Sequence, residues 1–194
     1  MTTIDAIFAL YADRGSASYF GEAVTQAEHA LQTAHLAETD KAPPPLIVAA
    51  LLHDIGHLLH TAGEDVAKRG VDTRHERIGA RWLTPHFGRH ISEPVRLHVA
   101  AKRYLCAIDP DYFARLSPAS VKSLELQGGV MRFSDTRQFE RQDHWREAVR
   151  LRRWDEEAKV PGLIVPPIEH YQPQLEACLQ PDAENASENA TRRS

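Results

Sequence analysis

The chain has 194 residues, a formal net charge of −4 and 42% hydrophobic residues, the balance of an ordinary soluble globular protein. An excess of acidic over basic side chains disfavours a general nucleic-acid binder. The longest purely apolar run, 46–52, is too short to span a membrane, and residues 1–10 lack the basic start of a signal peptide. Two isolated cysteines, Cys106 and Cys178, are typical of a reducing compartment. We therefore expect a cytoplasmic protein with no nucleic-acid, membrane or obligatory protein partner.

Apolar spacing predicts that the folded part of the chain consists of helices. Ile4, Ile7, Phe8 and Tyr11 recur at the spacing of one helical face. A helix at 46–59 is apolar nearly all round, so it should lie at the centre of the fold. The other predicted helices cover 22–38, 75–84, 91–108, 118–127, 134–158 and 167–179, with a polar loop at 61–73. The sequence predicts an all-α helical bundle, as a single domain over 1–179 followed by a disordered tail over 180–194.

The central chemical feature is the pair His53-Asp54 inside the apolar helix at 46–59. Burying an ionisable pair costs several kcal/mol unless partners compensate. A metal ion would compensate both side chains, because imidazole nitrogen and carboxylate oxygen are both good ligands. A buried His-Asp hydrogen bond without a metal is the equally simple alternative at this point.

Four further residues favour the metal interpretation when they are taken together. His29, His75 and His98 lie on three other predicted helices, and Asp155 lies on the charged helix at 134–158. Any one of them alone is more often an ordinary core or surface residue. Their order along the chain, His, His-Asp, His, His, Asp, resembles the HD-domain superfamily.

The resemblance to HD-domain proteins implies an all-α fold and a ligand set. In that family the aspartate of the HD pair bridges two metal ions. Carried over, His29, His53, Asp54 and Asp155 would hold the first ion. Asp54, His75 and His98 would hold the second. This nitrogen and oxygen donor set suits iron or manganese and excludes a thiolate zinc site.

A second group of polar residues lies one helical turn from these ligands. Glu22, Gln26 and His29 are spaced i, i+4 and i+7, so they are expected on one helical face. The side chains that are expected to surround a compact anion as donors are His57, Lys102, Ser120, Gln127 and Arg152. The alternative is that the charged members are simply solvated.

Four sequence blocks resemble the phosphonate-cleaving diiron oxygenases of the PhnZ and TmpB type more specifically than the bare HD pattern does. These are Tyr19-x-Gly21-Glu22-Ala23, Gln26-x-Glu28-His29, the segment His98 to Leu105 (HVAAKRYL) and Gln127-Gly128-Gly129. The resemblance implies a mixed-valent Fe(II)/Fe(III) pair, dioxygen as co-substrate, and oxidative cleavage of the C–P bond of a 1-hydroxyalkylphosphonate into phosphate and a carboxylic acid. It also implies that Glu22 occupies an iron position before substrate arrives, and that Tyr19 closes with it as a lid.

Three functions remain open from the sequence. The first is a diiron oxygenase acting on a 1-hydroxy-2-(amino or trimethylammonio)ethylphosphonate, giving glycine or glycine betaine. The second is an HD-domain metal-dependent phosphohydrolase acting on a small phosphate ester. The third is a metal-binding sensor module, for which 194 residues leave no room for an output domain. Acidic residues in the loop at 61–73 favour a cationic head group on the substrate. They do not decide between an amino and a trimethylammonio group.

Overall fold

The computed structural model describes residues 1–59 and 73–181, and these fold into α-helices with no β-strand beyond one isolated bridge between Ser18 and Thr25. The predicted all-α helical bundle is therefore confirmed. The helices are α1 (Thr3–Arg14), α2 (Gln26–Thr39), α3 (Pro44–Leu52), α4 (Ile55–Leu59), α5 (His75–Phe87), α6 (Arg89–Ile108), α7 (Pro110–Ala114), α8 (Pro118–Leu126), α9 (Phe133–Phe139), α10 (Trp145–Glu157) and α11 (Gln172–Cys178), with a 3₁₀ turn at Ile168–Tyr171.

Several helix boundaries differ from the predicted ones. The predicted helix at 22–38 begins instead at Gln26, because Thr25 and Glu28 form a reciprocal capping box. The helix predicted at 46–59 is two helices, since a turn at His53-Asp54 separates α3 from α4. The helix predicted at 134–158 is also two, α9 and α10, and the short helix α7 was not predicted. The predicted loop at 61–73 lies outside the described residues except for Thr73, and the predicted tail except for Gln180 and Pro181.

Helix α3 lies at the centre of the larger of two hydrophobic clusters. Every residue from Leu46 to Leu52 is buried, as its uniformly apolar sequence predicts. It packs against α2, α6, α10 and α11. Each fully buried leucine or isoleucine contributes about 1.5–3 kcal/mol relative to an exposed one. The His53-Asp54 turn therefore follows directly on a completely buried helix.

A second cluster joins the C-terminal half of α6 to α8, α9 and α10 through residues such as Leu105, Leu124 and Phe139. Helices α2, α3, α5, α6 and α10 all reach the space around the His53-Asp54 turn. The chemically important side chains thus come from several helices that are held by one core. No helix in the described part of the chain is long and apolar enough to cross a membrane.

Candidate metal centre

The first group of polar side chains lies between α2, the His53-Asp54 turn and α10. The Nε2 atoms of His29 and His53 are 3.1 Å apart. His29 Nε2 is 3.4 Å from Asp155 Oδ1, and His53 Nε2 is 3.3 Å from Asp54 Oδ2. All four side chains are buried. Four donor atoms therefore converge on one small space, as the order of these residues in the sequence predicts.

A second group lies on the other side of Asp54. The Nε2 atoms of His75 and His98 are also 3.1 Å apart. His75 Nε2 is 3.2 Å from Asp54 Oδ1, and His98 Nε2 is 3.6 Å from the same oxygen. Asp54 thus turns Oδ2 toward the first group and Oδ1 toward the second. This geometry places one carboxylate between two clusters of nitrogen donors.

The ring orientation of the histidines is fixed by backbone carbonyl groups. The Nδ1 atoms of His29, His53 and His98 lie 2.8, 2.9 and 2.7 Å from the carbonyl oxygens of Ala158, Ala50 and Val95. A donated Nδ1–H leaves Nε2 with a free lone pair, which is the usual arrangement behind a metal-ligating histidine. His75 differs, because its Nδ1 faces the buried carboxylate of Glu76 at 3.9 Å.

The protonation states suit cation binding. Burial opposes ionisation of Asp54, but the adjacent His53 and His75 outweigh it and hold the pKa of this carboxyl well below its usual range. Burial and the neighbouring His75 lower the pKa of His98 to about 3, so its imidazole is neutral near pH 7. Burial also disfavours charge on His53, yet the carboxylate of Asp54 raises the pKa of His53 to about 9. A cation that binds here would displace that proton.

The donors present fit metal ions. A metal ion binds nitrogen and oxygen ligands at about 2.1 Å. If the two bonds to the ion make a right angle, the ligand atoms are roughly 3 Å apart, which is close to both His–His distances. Asp54 Oδ1 and Asp155 Oδ1 are buried and have no hydrogen-bond partner among residues 1–59 and 73–181, which is costly unless a cation satisfies them. Both groups meet the spacing needed to hold an ion: His29, His53 and Asp54, and Asp54, His75 and His98.

The two groups face an open cleft of about 680 Å³, a volume that includes solvent at its mouth. Most predicted substrate residues line it. The residues of the cleft wall that the sequence predicted are Tyr19, Glu22, Asp54, His57, His75, His98, Lys102, Ser120, Gln127, Arg152 and Asp155. Gln26 is buried at the first turn of α2 and does not line the cleft.

Lys102 presents a buried ammonium to the cleft. Its Nζ donates to Ser123 Oγ at 2.6 Å and to Gln127 Oε1 at 3.3 Å. Burial and the nearby Arg152 lower the pKa of Lys102 to about 7. Both of these partners are neutral, so within the described part of the chain no carboxylate is bonded to Lys102, and its charge can be used to bind an anion.

Arg152 has a different environment from the one expected of a free anion donor. Its guanidinium donates to the carboxylates of Asp155 and Glu156 and, through Nε, to Tyr112 Oη at 2.7 Å. The side chain is buried. In this arrangement Arg152 orients Asp155 toward His29 and His53. It lines the cleft, but its strongest contacts are with protein carboxylates.

Lys159, Glu156, Ser117 and Ser123 also belong to this site, and the sequence analysis missed them. Lys159 Nζ donates to Ser120 Oγ at 2.7 Å and to Glu156 Oε1 at 2.9 Å. The spacing of Glu156 and Lys159 in the sequence was the signal that could have identified them. Glu156 and Lys159 lie one helical turn after Arg152 and Asp155, where side chains of one face meet.

Tyr19 and Phe20 cover the metal centre from the segment before α2. The Tyr19 ring stacks on His29 with centroids 3.8 Å apart, and the Phe20 ring lies 4.3 Å from that of His57. His57 stacks in turn on His75 at 4.0 Å. Burial and the carboxylates of Asp54 and Asp155 raise the pKa of Tyr19 well above its usual range, so it stays a neutral phenol.

Comparison with known proteins places these residues in a family. The HD-domain family model matches residues 27–127. The chain is 48% identical to hydroxymethylphosphonate dioxygenase of Gimesia maris over 91% of its own length and 88% of that protein. It is 42% identical to the glycine-betaine-forming [1-hydroxy-2-(trimethylamino)ethyl]phosphonate dioxygenase of Leisingera caerulea over 89% of its length and 88% of the relative. The chain belongs to the HD-domain family, in the branch that contains these phosphonate dioxygenases.

Proposed function

We propose that the protein is an oxygenase that cleaves the C–P bond of a 1-hydroxyalkylphosphonate. The observation that carries this proposal is Asp54, whose two oxygens face two separate histidine groups beside a cleft that contains the ammonium of Lys102. The activities of both phosphonate dioxygenase relatives agree with it. The first substrates to test are the 1-hydroxy-2-(amino or trimethylammonio)ethylphosphonates, with phosphate and glycine or glycine betaine as products.

The cofactor in this proposal is a pair of iron ions in the mixed-valent Fe(II)/Fe(III) state, with dioxygen as co-substrate. His29, His53, Asp54 and Asp155 would hold the first ion, and Asp54, His75 and His98 the second. Mixed nitrogen and carboxylate donors without thiolate suit iron. When bound, the ions supply the redox chemistry that no side chain of this chain can perform.

The chain's own residues bind and orient the substrate. Lys102 donates to a phosphonate oxygen, and Ser123 and Gln127 hold its ammonium in place. Ser120 and His57 line the same cleft and supply further polar contacts. Charge-assisted hydrogen bonds of this kind each contribute about 1.5–3 kcal/mol. Tyr19, lying over His29, excludes water from the metal side of the cleft.

The residues that line the cleft also bear on which head group the substrate carries. One relative acts on a phosphonate with no head group and the other on one with a trimethylamino group. Phe20 and Glu22 line the cleft of this chain, and an aromatic face with a nearby carboxylate favours a cation. This supports an amino or trimethylammonio substrate, with hydroxymethylphosphonate as the comparison compound.

Phosphate release tests the function directly. Iron-loaded protein should release phosphate from at least one of the three hydroxyphosphonates in air and from none of them without dioxygen. The phosphohydrolase alternative makes the opposite prediction, which is release of phosphate from a small ester such as p-nitrophenyl phosphate without dioxygen. The cytoplasmic location and the absence of nucleic-acid and obligatory protein partners stay predictions.

A further inference from the structure

The segment Gly128 to Met131, called the glycine turn below, follows α8 and is bound by Arg103 of α6. The Nε atom of Arg103 donates to the carbonyl oxygen of Gly129 at 2.9 Å, and its Nη2 atom donates to that of Gly128 at 3.2 Å. The backbone carbonyl of Arg103 accepts a hydrogen bond from Met131 N at 3.0 Å. One residue of α6 thus makes three hydrogen bonds to the glycine turn.

The backbone of the glycine turn requires its two glycines. Gly128 and Gly129 have φ of +98° and +70°, in the left-handed region that glycine adopts without strain. Gly129 N donates to Leu124 O at 2.8 Å, which satisfies one of the free carbonyls at the end of α8. A Cβ atom at Gly128 would lie 3.4 Å from Arg103 Cζ, so the turn packs closely against the guanidinium. This contact fixes where α8 ends relative to α6.

The other side of the same helix end carries the partners of Lys102. Ser123 Oγ and Gln127 Oε1 accept hydrogen bonds from Lys102 Nζ at 2.6 and 3.3 Å. Ser123 lies in the last turn of α8, and Gln127 is the residue at which this helix ends. Lys102 and Arg103 are consecutive residues of α6, so the two side chains bind the end of α8 from two sides.

Arginine suits this position better than any other side chain. Its planar fork of donors can bond two carbonyl oxygens at once, which a lysine ammonium on a flexible stem does less well. A cation beside the C-terminal end of a helix also interacts favourably with the partial negative charge of its carbonyls. Arg103 is only partly buried and is not among the described residues that line the cleft. Its influence on a ligand would therefore pass through the glycine turn.

We propose that Arg103 is the positioning residue that, through the glycine turn, keeps the ammonium of Lys102 directed into the cleft. Hydrogen bonds weaken steeply outside a narrow range of distance and angle, so Ser123 and Gln127 hold Lys102 only while the end of α8 stays in place. Without the guanidinium, the glycine turn keeps only its backbone bonds and α8 can move away from α6. The inference rests on the proposed function only in taking Lys102 as a donor to the anion.

Phosphate binding to the Co(II)-loaded protein tests this without turnover. The set is wild type, R103M, K102M and the double variant. R137M is the matched control, since Arg137 is an exposed arginine on α9. Circular dichroism verifies the fold of each variant, and cobalt content and the visible absorption spectrum verify its metal centre. Isothermal titration with inorganic phosphate then measures the affinity for an anion.

We expect K102M to weaken phosphate binding about ten- to a hundredfold, because a charge-assisted hydrogen bond is lost. R103M should weaken it by about three- to tenfold, the size of coupling between neighbouring groups, with cobalt content and the phosphate-free spectrum unchanged. In the K102M background R103M should cause no further loss, because the ammonium that Arg103 positions is gone. R137M should match wild type throughout.

Two results would overturn the proposal. Wild-type phosphate affinity in R103M would make its contacts with the glycine turn incidental to the anion site. Equal losses in both backgrounds would mean that Arg103 acts independently of Lys102. If R103M fails to fold, R103K replaces it, because lysine keeps the charge but binds only one of the two carbonyls; a loss that depends on Lys102 is still required.

The proposed function fails in a different way from this inference. Phosphate binding that depends on Lys102, in a protein that releases phosphate from none of the hydroxyphosphonates, would count against the oxygenase alone. Phosphate binding that K102M leaves unchanged would remove Lys102 from the anion site and overturn the role of Arg103 with it.

Discussion

Substituting Arg152 by alanine should weaken both the fold and the metal centre. The guanidinium is buried and bonded to Asp155, Glu156 and Tyr112. Removing it leaves the buried carboxylate of Asp155 without its cation, whereas Glu156 keeps Lys159. Breaking a buried pair in this way costs about 3–5 kcal/mol. A typical domain is stable by only about 5–15 kcal/mol, so a large share of the stability should be lost.

The same substitution should lower metal affinity, because Arg152 orients Asp155 beside His29. Loss of a residue that supports a ligand costs about tenfold to a hundredfold in affinity. Urea denaturation of the metal-free protein measures the first effect, and anaerobic Fe(II) titration measures the second. R153A is the matched control, since Arg153 follows on the same helix, is 43% exposed and pairs with Asp109 at 2.9 Å. An exposed pair should contribute about 0.2–1 kcal/mol. If R152A resembled R153A in both assays, Arg152 would not support Asp155.

Three further substitutions separate metal binding from anion binding. Asp54→Ala should abolish binding of both ions, whereas His98→Ala should mainly weaken one, as determined by metal analysis; full metal content in Asp54→Ala would show that this carboxylate is not shared. Lys102 has a pKa of about 7, so its ammonium is charged below that pH and is lost above it. The value of kcat/KM for a hydroxyphosphonate should therefore fall as the pH rises through about 7, and Lys102→Arg, which stays charged, should move the fall to higher pH; identical profiles would remove Lys102 from the binding site.

Much of the centre was predictable because its residues follow strong physical patterns. A His-Asp pair within a uniformly apolar helix is costly without a partner, so its position alone pointed to a buried polar site. The apolar periodicity placed the surrounding helices, and the structure confirms the all-α bundle. The order of His29, His98 and Asp155 around the His-Asp pair carried the resemblance to the HD-domain superfamily that identified them, and all three are buried in the structure.

The remaining features depend on tertiary contacts that the sequence does not encode locally. Glu22 was expected on the same helical face as His29, but the capping box at Thr25 starts α2 later and leaves Glu22 in the segment before this helix. Its partners, Ser117 and Lys159, are about a hundred residues away in the chain. Arg152 was expected to face substrate because charge alone does not reveal which anion it meets. The carboxylates that bind it, Asp155 and Glu156, lie three and four residues further along α10, so their spacing was a local signal for these ion pairs.

The measurement that bears most directly on the account is dioxygen consumption alongside phosphate release from a hydroxyphosphonate by the iron-loaded protein. An oxidative C–P cleavage consumes dioxygen and releases phosphate in equal amounts, with the carboxylic acid as the second product. Phosphate release should therefore stop when dioxygen is removed and resume when it is restored. Sustained multiple turnovers under strict anaerobiosis would contradict the oxygenase and leave the phosphohydrolase in its place.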